Sequence, residues 1–215
     1  MPLFPLDLVL FPGQLLPLHI FEPRYRQLLA DCLAGERRFG ITRASHPIPG
    51  SLGTVAAIQV VQPLPDGRSN IVVAGSERFL VSALTATDSP YLVAAVDPIT
   101  DLAGSAPTDQ ATRELRGTIT MLRDALAVMR DEPVAPADLP ESAEALSFVA
   151  AALSETSVDA REQLLALRST RERVELLSDV LRSQARTARG RAAIHLRARS
   201  NGHGHDDESD PGPDS

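Results

Sequence analysis

Lysine is absent from this 215-residue chain, in which all 21 Lys or Arg positions are arginine. A Walker A motif needs a lysine to hold nucleotide phosphates, and a Ser-Lys protease needs one as its base. Schiff-base enzymes and pyridoxal-phosphate enzymes also attach their carbonyl compound to a lysine. The composition therefore excludes these catalytic sites. We expect a protein that is not an enzyme, with no catalytic residue and no cofactor.

Cysteine and aromatic residues are scarce as well. The single cysteine, Cys32, can form neither an intramolecular disulfide nor a CxxC zinc or redox motif. It lies on the apolar face of a predicted helix, so we interpret it as a buried hydrophobic residue and not as a nucleophile. With no tryptophan, six phenylalanines and two tyrosines, the chain has too few aromatic residues for an extended base-stacking surface.

Acidic charge is concentrated at the end of the chain. The net charge is −7, but five acidic residues fall in the last ten positions, so residues 1–205 carry 23 acids against 21 arginines. A nearly neutral body does not favour DNA or an anionic membrane. No apolar run reaches the roughly 18 residues of a membrane span, and prolines interrupt the apolar N-terminus. We therefore expect a cytoplasmic protein without a membrane partner.

Two halves of the chain differ in composition. Eleven of the 17 prolines and seven of the eight aromatic residues lie in residues 1–98, and no proline occurs from Glu141 to Asp210. The first half therefore predicts strands and turns, and the second predicts helices. The predicted strands are the short apolar runs 8–11, 15–20, 40–43, 54–62, 70–74, 78–84 and 91–96. Such short strands indicate a curled sheet or small barrel.

One predicted helix interrupts the strands, from about Pro23 to Leu33. Proline suits a first helical position, and Gly35 is expected to end the helix. We expect this helix to close one mouth of the barrel. In the second half, helix starts are predicted near Thr108, at the capping-box residues 138–141, at Ser157 and at residues 169–172. The apolar seam of the first of these helices, Leu115 to Met129, packs within one chain or pairs two chains, so the oligomeric state stays open.

Five motifs occur in the order and spacing of the N-terminal, substrate-binding domain of Lon proteases. They are LDLVLFPGQLLPL (6–18), GTVA (53–56), LPDG (64–67), VVAGSERF (72–79) and PYLVA (90–94). Residues 157–167 and RERVELL (171–177) resemble the helices that follow in Lon, so the resemblance covers about residues 1–185. The segment IFEPRYR (20–26) is more similar to the stand-alone bacterial relatives than to full-length Lon.

The resemblance implies an α+β fold: a PUA-like six-stranded pseudo-barrel with one inserted helix, followed by a C-terminal helical bundle. On this basis we expect a β-rich subdomain at 1–100 and a helical bundle at 107–187. A basic segment at 188–199 and a disordered acidic tail at 200–215 would follow. The ATPase and Ser-Lys protease domains of Lon are expected to be missing. His203, His205 and Asp206 could hold a cation only loosely, so no metal site is predicted.

A peptide-recognition site is the main functional hypothesis, with unfolded or exposed protein segments as partners and a protease or chaperone as a further one. The candidate peptide-binding region is Phe11, Phe21, Glu22, Arg24 and Tyr25. A plain structural alternative exists for each residue, with Phe21 and Tyr25 in the core and Glu22 paired with Arg24. A nucleic-acid-binding module is the alternative function. It would use the barrel and the arginines of residues 186–199, although that stretch has no aromatic residue.

Overall fold

Strands occupy the first half of the chain and helices the second. The computed structural model describes residues 1–43, 46–134, 136 and 138–201, for the last three of which only the backbone is described. The strands are β1 (Pro2–Pro5), β2 (Leu15–Ile20), β3 (Arg38–Thr42), β4 (Leu52–Pro63), β5 (Ser69–Thr85) and β6 (Leu92–Ile99). The helices are α1 (Pro23–Ala34), α2 (Asp109–Met129), α3 (Ala143–Leu153), α4 (Val158–Ala166) and α5 (Thr170–Asn201).

The sheet closes on itself through β5. The strand order is β2-β5-β4-β3-β1-β6, and β5 also pairs with β6, so five strands form a ring and β2 lies outside it. The first part of β5 pairs with β2 and the last part with β6. Gly75 lies where β5 changes partner, and a Cβ there would be 2.2 Å from the carbonyl oxygen of Phe11. The predicted six-stranded pseudo-barrel is confirmed.

The predicted strands differ from the observed strands in three ways. β1 was not predicted, and the runs 70–74 and 78–84 belong to the single strand β5. Residues 8–11 do not form a strand. Their side chains are apolar because they enter two different cores: Val9 and Phe11 pack with the helical bundle, whereas Leu10 packs inside the sheet. Because neighbouring side chains of this segment are buried on opposite sides, residues 8–11 form a continuous apolar run like that of a buried strand.

α1 packs against the inner side chains of the sheet. Pro23 occupies its first turn, and the backbone N–H of Gly35 donates to the carbonyl oxygen of Cys32 at its end. Tyr25, Leu28 and Cys32 are buried in one cluster with side chains from β1 to β5. The inserted helix and its apolar face agree with the sequence-based expectation.

The bundle forms around the buried faces of α2 and α5. Leu115 and Ile119 of α2 share one hydrophobic cluster with Val174 and Leu177 of α5. The seam of α2 is therefore used within the chain. The two helices run side by side in the same direction, since Ser105 bonds to Thr170 at one end and Asp131 to His195 at the other. The caps predicted at Ser157 and Ser169 are present, and the helix expected to start near Thr108 is capped by Thr108 itself.

The helix expected to start at Asp138 starts later. Ser142 is the N-cap of α3, and its hydroxyl oxygen accepts from the backbone N–H of Ala145 at 3.2 Å. Arg116 of α2 donates to the carbonyl oxygens of Leu139 and Pro140. These contacts attach the segment that precedes α3 to α2.

The distal part of α5 contains the whole of the predicted basic segment, residues 188–199. α5 continues through residue 187 without a break, so the boundary placed there does not coincide with the end of an element. Ala188 and Ala192 are buried, whereas Arg186, Arg189 and Arg191 are exposed. The predicted acidic tail lies outside the described residues from position 202 onwards.

A buried ion cluster joins the barrel to the bundle. The Asp101 carboxylate accepts from Arg78 of β5 at 2.5 Å and from Arg173 of α5 at 2.6 Å, and also from the Thr170 hydroxyl. The exposed fractions of the Asp101, Arg78 and Arg173 side chains are 7%, 2% and 0%. Both guanidinium groups lie over the ring of Phe148 in α3. The cluster therefore joins the segment after β6 to β5, α3 and α5.

Candidate functional site

An apolar surface covers the outward side of the three-stranded part of the sheet. Leu15 of β2 lies opposite Ala74 of β5, which lies opposite Ala57 of β4. In the next outward row Pro17, Val72 and Val60 are aligned in the same way. We call these six residues the outer sheet face: Leu15, Pro17, Ala57, Val60, Val72 and Ala74.

Exposure of the outer sheet face is unusual for an antiparallel sheet. Leu15 and Val60 are 63% and 55% exposed, while the alternate residues Ile58, Ile71 and Val73 are buried against α1. An antiparallel sheet with one buried side normally places polar residues on its solvent side. Contiguous exposed apolar residues mark binding surfaces in soluble proteins. The outer sheet face is therefore the leading candidate for a site that contacts other molecules.

Phe21 extends this surface at the end of β2. Its ring is 58% exposed and stacks on the imidazole of His19, with ring centroids 6.0 Å apart. His19 follows Pro17 on the same side of β2, and its Nδ1 lies 2.7 Å from Oδ1 of Asn70. The contact with Asn70 orients His19, which in turn supports an exposed aromatic ring beside the outer sheet face.

β2 is an edge strand with one backbone donor removed. In the described part of the chain its only strand partner is β5. Pro17 has no N–H, so it fits a position whose nitrogen faces away from β5. Edge strands often carry proline, which limits unwanted pairing with other chains. The side chains of the sheet, rather than a continuous row of free backbone groups, therefore dominate this surface.

The predicted site residues separate into two environments. Phe11 is 0% exposed and Tyr25 is 7% exposed, so both rings are core residues rather than surface ones. Glu22 and Arg24 form an ion pair of 2.8 Å at the start of α1. Arg24 also lies over the Tyr25 ring, 4.6 Å from its centroid. Of the five residues, Phe21 is the aromatic side chain that the fold presents to solvent beside the outer sheet face.

A cavity of about 400 Å³ lies on the other side of the α1 start. Arg24, Tyr25 and Tyr91 line it, together with Pro5, His46 and residues 89, 90 and 92. The Tyr91 hydroxyl donates to the Asp31 carboxylate at 2.6 Å. The predicted region thus divides into this cavity, which contains Arg24 and the edge of Tyr25, and the outer sheet face, which Phe21 adjoins.

The outer sheet face was missed at the level of sequence. Leu15, Leu16, Pro17 and Leu18 form a continuous apolar run in a strand that is buried on one side only. Such a strand should alternate, so the absence of alternation was the available signal. The alignment of Val60 with Val72 depends on the irregularity between Ile58 and Val60, which no local pattern predicts.

Cys32 is buried and poorly reactive. Its side chain is 4% exposed, and its thiol donates to the carbonyl oxygen of Arg38 at 3.3 Å. Burial, followed by the negative charge of Asp31, raises the pKa of the Cys32 thiol to about 11. Because the thiolate is the reactive form, only about a thousandth of Cys32 is ionised at pH 8.

We predict that iodoacetamide at pH 8 labels Cys32 far more slowly in the folded protein than in urea. Mass spectrometry of timed samples measures the rate. The expected ratio is at least about a hundredfold, since the pKa and the burial act in the same direction. Equal labelling of the folded and unfolded protein would contradict a buried thiol.

Across residues 1–43, 46–134, 136 and 138–201, no three His, Cys, Asp or Glu side chains are grouped so that they could hold a metal ion. His203, His205 and Asp206 lie outside these residues. None of the described helices combines the length and apolarity that crossing a membrane requires.

A closed ring of five strands, an inserted helix and a following bundle place the chain among PUA-like α+β proteins. The family model described as the ATP-dependent protease La (LON) substrate-binding domain matches residues 1–183. The chain therefore belongs to the Lon substrate-binding domain family.

Curated relatives of the chain are full-length Lon proteases. It is 28% identical to the Lon protease of Anaeromyxobacter dehalogenans over 194 residues, which are 84% of this chain and 23% of that protein. It is 30% identical to the Lon protease of Parabacteroides distasonis over 132 residues, which are 57% of this chain and 15% of that protein. The chain thus spans less than a quarter of the length of these relatives.

Solved structures agree with the fold. A Lon N-terminal domain protein from Xanthomonas campestris has a TM-score of 0.63 at 25% identity, over 82% of this chain and 95% of that one. The N-terminal domain of a Mycobacterium avium complex Lon protease has a TM-score of 0.62 at 21% identity, over 84% of this chain and 96% of that one. The second likeness concerns the fold alone.

Proposed function

We propose that this protein is a non-catalytic module that binds unfolded or exposed protein segments through the outer sheet face. The observation that carries the proposal is the pair of apolar rows on the solvent side of β2, β5 and β4, with Leu15 and Val60 more than half exposed. Membership of a substrate-binding family supports protein segments as the ligand class. The absence of lysine argues against a Lon-type nucleotide site or proteolytic dyad within these residues.

Binding would be driven by burial of apolar surface. Removing a Leu or Val side chain from water contributes about 1.5–3 kcal/mol when burial is complete. A folded client keeps its own apolar side chains inside, whereas an unfolded client exposes them in extended segments. The outer sheet face would therefore select for unfolded clients without reading a defined sequence. Phe21 would add an aromatic contact at one end of the bound segment.

The test compares Leu15→Asp with Leu176→Asp. Leu176 is a matched control because it is 60% exposed against 63% for Leu15, but it lies on α5. Fluorescence anisotropy would measure binding of labelled, reduced and carboxamidomethylated α-lactalbumin, with the folded form as a second control. We expect Leu15→Asp to weaken binding at least about tenfold, equal to roughly 1.4 kcal/mol, and Leu176→Asp to leave it within about twofold of wild type.

Two outcomes would contradict the proposal. The first is binding that is equally weak for both variants. The loss would then come from the added negative charge or from a contact outside the outer sheet face. The second is equal affinity for the folded and unfolded probe. Both substitutions are at exposed positions, so we expect each variant to keep the fold. Circular dichroism of each variant would establish this first.

The nucleic-acid alternative has less support in the structure. Arg186, Arg189 and Arg191 are exposed on α5, but this helix carries no Phe, Tyr or Trp on which bases could stack. Phosphate binding would appear as an affinity that falls steeply with salt. Flat titrations of single-stranded RNA at low salt would remove the alternative.

A further inference from the structure

A groove lies between α2 and α5, at the margin of the bundle core that Ala125 and Ala192 belong to. It has a volume of about 520 Å³ and small or apolar residues on its floor. The floor residues are Gly117, Thr120, Met121, Ala125, Val128, Ala192, Ala193 and Leu196. Leu196 is 54% exposed and Met121 is 39% exposed. Small residues on a helix surface allow another helix to approach closely.

The two walls of this groove carry opposite charges. Asp124 of α2 lines one wall and Arg189 of α5 lines the other. Beyond the groove, Glu114 and Asp131 continue the acidic side, while Arg182, which also pairs with Asp179, and His195 continue the basic side. Two cross-groove contacts connect the walls within the chain: Arg182 to Glu114 at 3.9 Å and His195 to Asp131 at 3.0 Å.

Asp124 and Arg189 form the middle of this pattern but do not pair with each other. Asp124 lies just past the midpoint between Glu114 and Asp131, and Arg189 lies at the midpoint between Arg182 and His195. With 1.5 Å of rise per residue, the two side chains stand at similar heights on opposite walls. Both line the groove. Neither has an ion-pair partner among the side chains that the structure describes.

We propose that a second copy of this chain covers the groove, in a two-fold dimer whose helices run parallel. A two-fold axis along the helices places the acidic wall of each copy against the basic wall of the other. Asp124 of each copy then meets Arg189 of the other, so one contact forms twice. An axis across the helices would instead place Asp124 against Asp124 and Arg189 against Arg189, which like-charge repulsion disfavours. The charge pattern thus selects both the partner and its direction.

Apolar contacts would supply the rest of the interface. Met121 and Leu196 of each copy would leave water and pack on the small residues of the opposite floor. The α2 seam cannot form the dimer interface, because Leu115 and Ile119 are already buried against α5 within the chain. The outer sheet face lies on the barrel half, and the dimer contacts lie on the helical half, so the two surfaces involve different elements.

Charge-reversal variants of the full chain test the dimer. Sedimentation velocity over a wide concentration range would give the dimer dissociation constant for wild type, Asp124→Arg and Arg189→Asp. We expect each single variant to raise this constant at least about tenfold, because each creates two like-charge contacts. Thermal unfolding by circular dichroism would establish that the variants keep the fold.

Mixing the two variants is the decisive measurement. In a mixed dimer, Arg at position 124 of one copy faces Asp at position 189 of the other, and the native Arg189 and Asp124 face each other in the second contact. We expect the mixture to associate with a dissociation constant near that of wild type, although each variant alone associates at least about tenfold more weakly. A structural effect within one chain cannot produce this rescue.

The results that would overturn the proposal are specific. A wild-type chain that stays monomeric at every concentration would remove it. A dimer that is insensitive to both reversals, or a mixture that is no better than its components, would place the contact elsewhere. The control variant Arg191→Asp changes charge on the same helix outside the groove and should leave the dissociation constant within about twofold.

Discussion

Replacing Asp101 by Asn is expected to lower the free energy of unfolding by about 3–5 kcal/mol. Asn has nearly the same shape but no negative charge, so Arg78 and Arg173 would keep their buried positive charges without the carboxylate that now accepts from both. Uncompensated buried charge is among the largest destabilising effects of a single substitution. Urea unfolding followed by circular dichroism measures the change.

Asp97→Asn is the matched control for this substitution. Asp97 is an exposed carboxylate of β6, close in sequence to Asp101. We expect its loss to change the free energy by less than about 0.5 kcal/mol. If Asp101→Asn and Asp97→Asn were equally mild, the ion cluster would not hold the barrel to the bundle. A transition that separates into two steps for Asp101→Asn alone would show that the two halves had become uncoupled.

Acid should remove the same contribution from the wild type. Burial by itself raises the pKa of the Asp101 carboxyl, but the hydrogen bonds from Arg173 and Thr170 and the two positive charges hold it below its ordinary value. Because the pKa is lower in the folded than in the unfolded state, the stabilisation is present above about pH 3.9 and is lost as the pH falls through the folded value. The difference between wild type and Asp101→Asn should therefore shrink in acid.

Local signals predicted much of the helical half. Thr108, Ser157 and Ser169 cap helices because a hydroxyl oxygen that accepts from a free N–H near the helix start is a local interaction. The same kind of signal failed at Asp138, where the side chain of Arg116, 22 positions earlier, binds the carbonyls that follow. A local capping pattern thus did not distinguish Asp138 from Ser142, which caps α3 four positions later, in a segment that a distant side chain also contacts.

Contacts between distant positions explain what was not predicted. The ion cluster unites residues 78, 101 and 173, and no spacing in the sequence relates them. The outer sheet face depends on cross-strand register, which places Leu15 beside Ala74. The candidate peptide-binding residues were selected by their neighbourhood in sequence, which cannot distinguish the buried ring of Phe11 from the exposed ring of Phe21.

A comparison of Phe11→Ala with Phe21→Ala separates the two roles that were assigned together. Phe11 packs against Phe148, with ring centroids 6.4 Å apart, and Arg161 lies 4.8 Å above its centre. It has no exposed surface. Removing this ring leaves a cavity between barrel and bundle, and such substitutions cost about 3–5 kcal/mol. We therefore expect a large loss in the free energy of urea unfolding for Phe11→Ala.

Phe21→Ala should show the opposite pattern. Its ring is 58% exposed and contacts His19 at the end of the outer sheet face, so stability should change by less than about 0.5 kcal/mol. Its affinity for an unfolded client should fall by about tenfold, because an exposed aromatic ring contributes on the order of 1.4 kcal/mol when a ligand covers it. Anisotropy and urea unfolding on both variants give four measurements. If Phe21→Ala bound the client as tightly as wild type, the contact surface would not extend beyond the sheet rows, and Phe21 would be removed from the site.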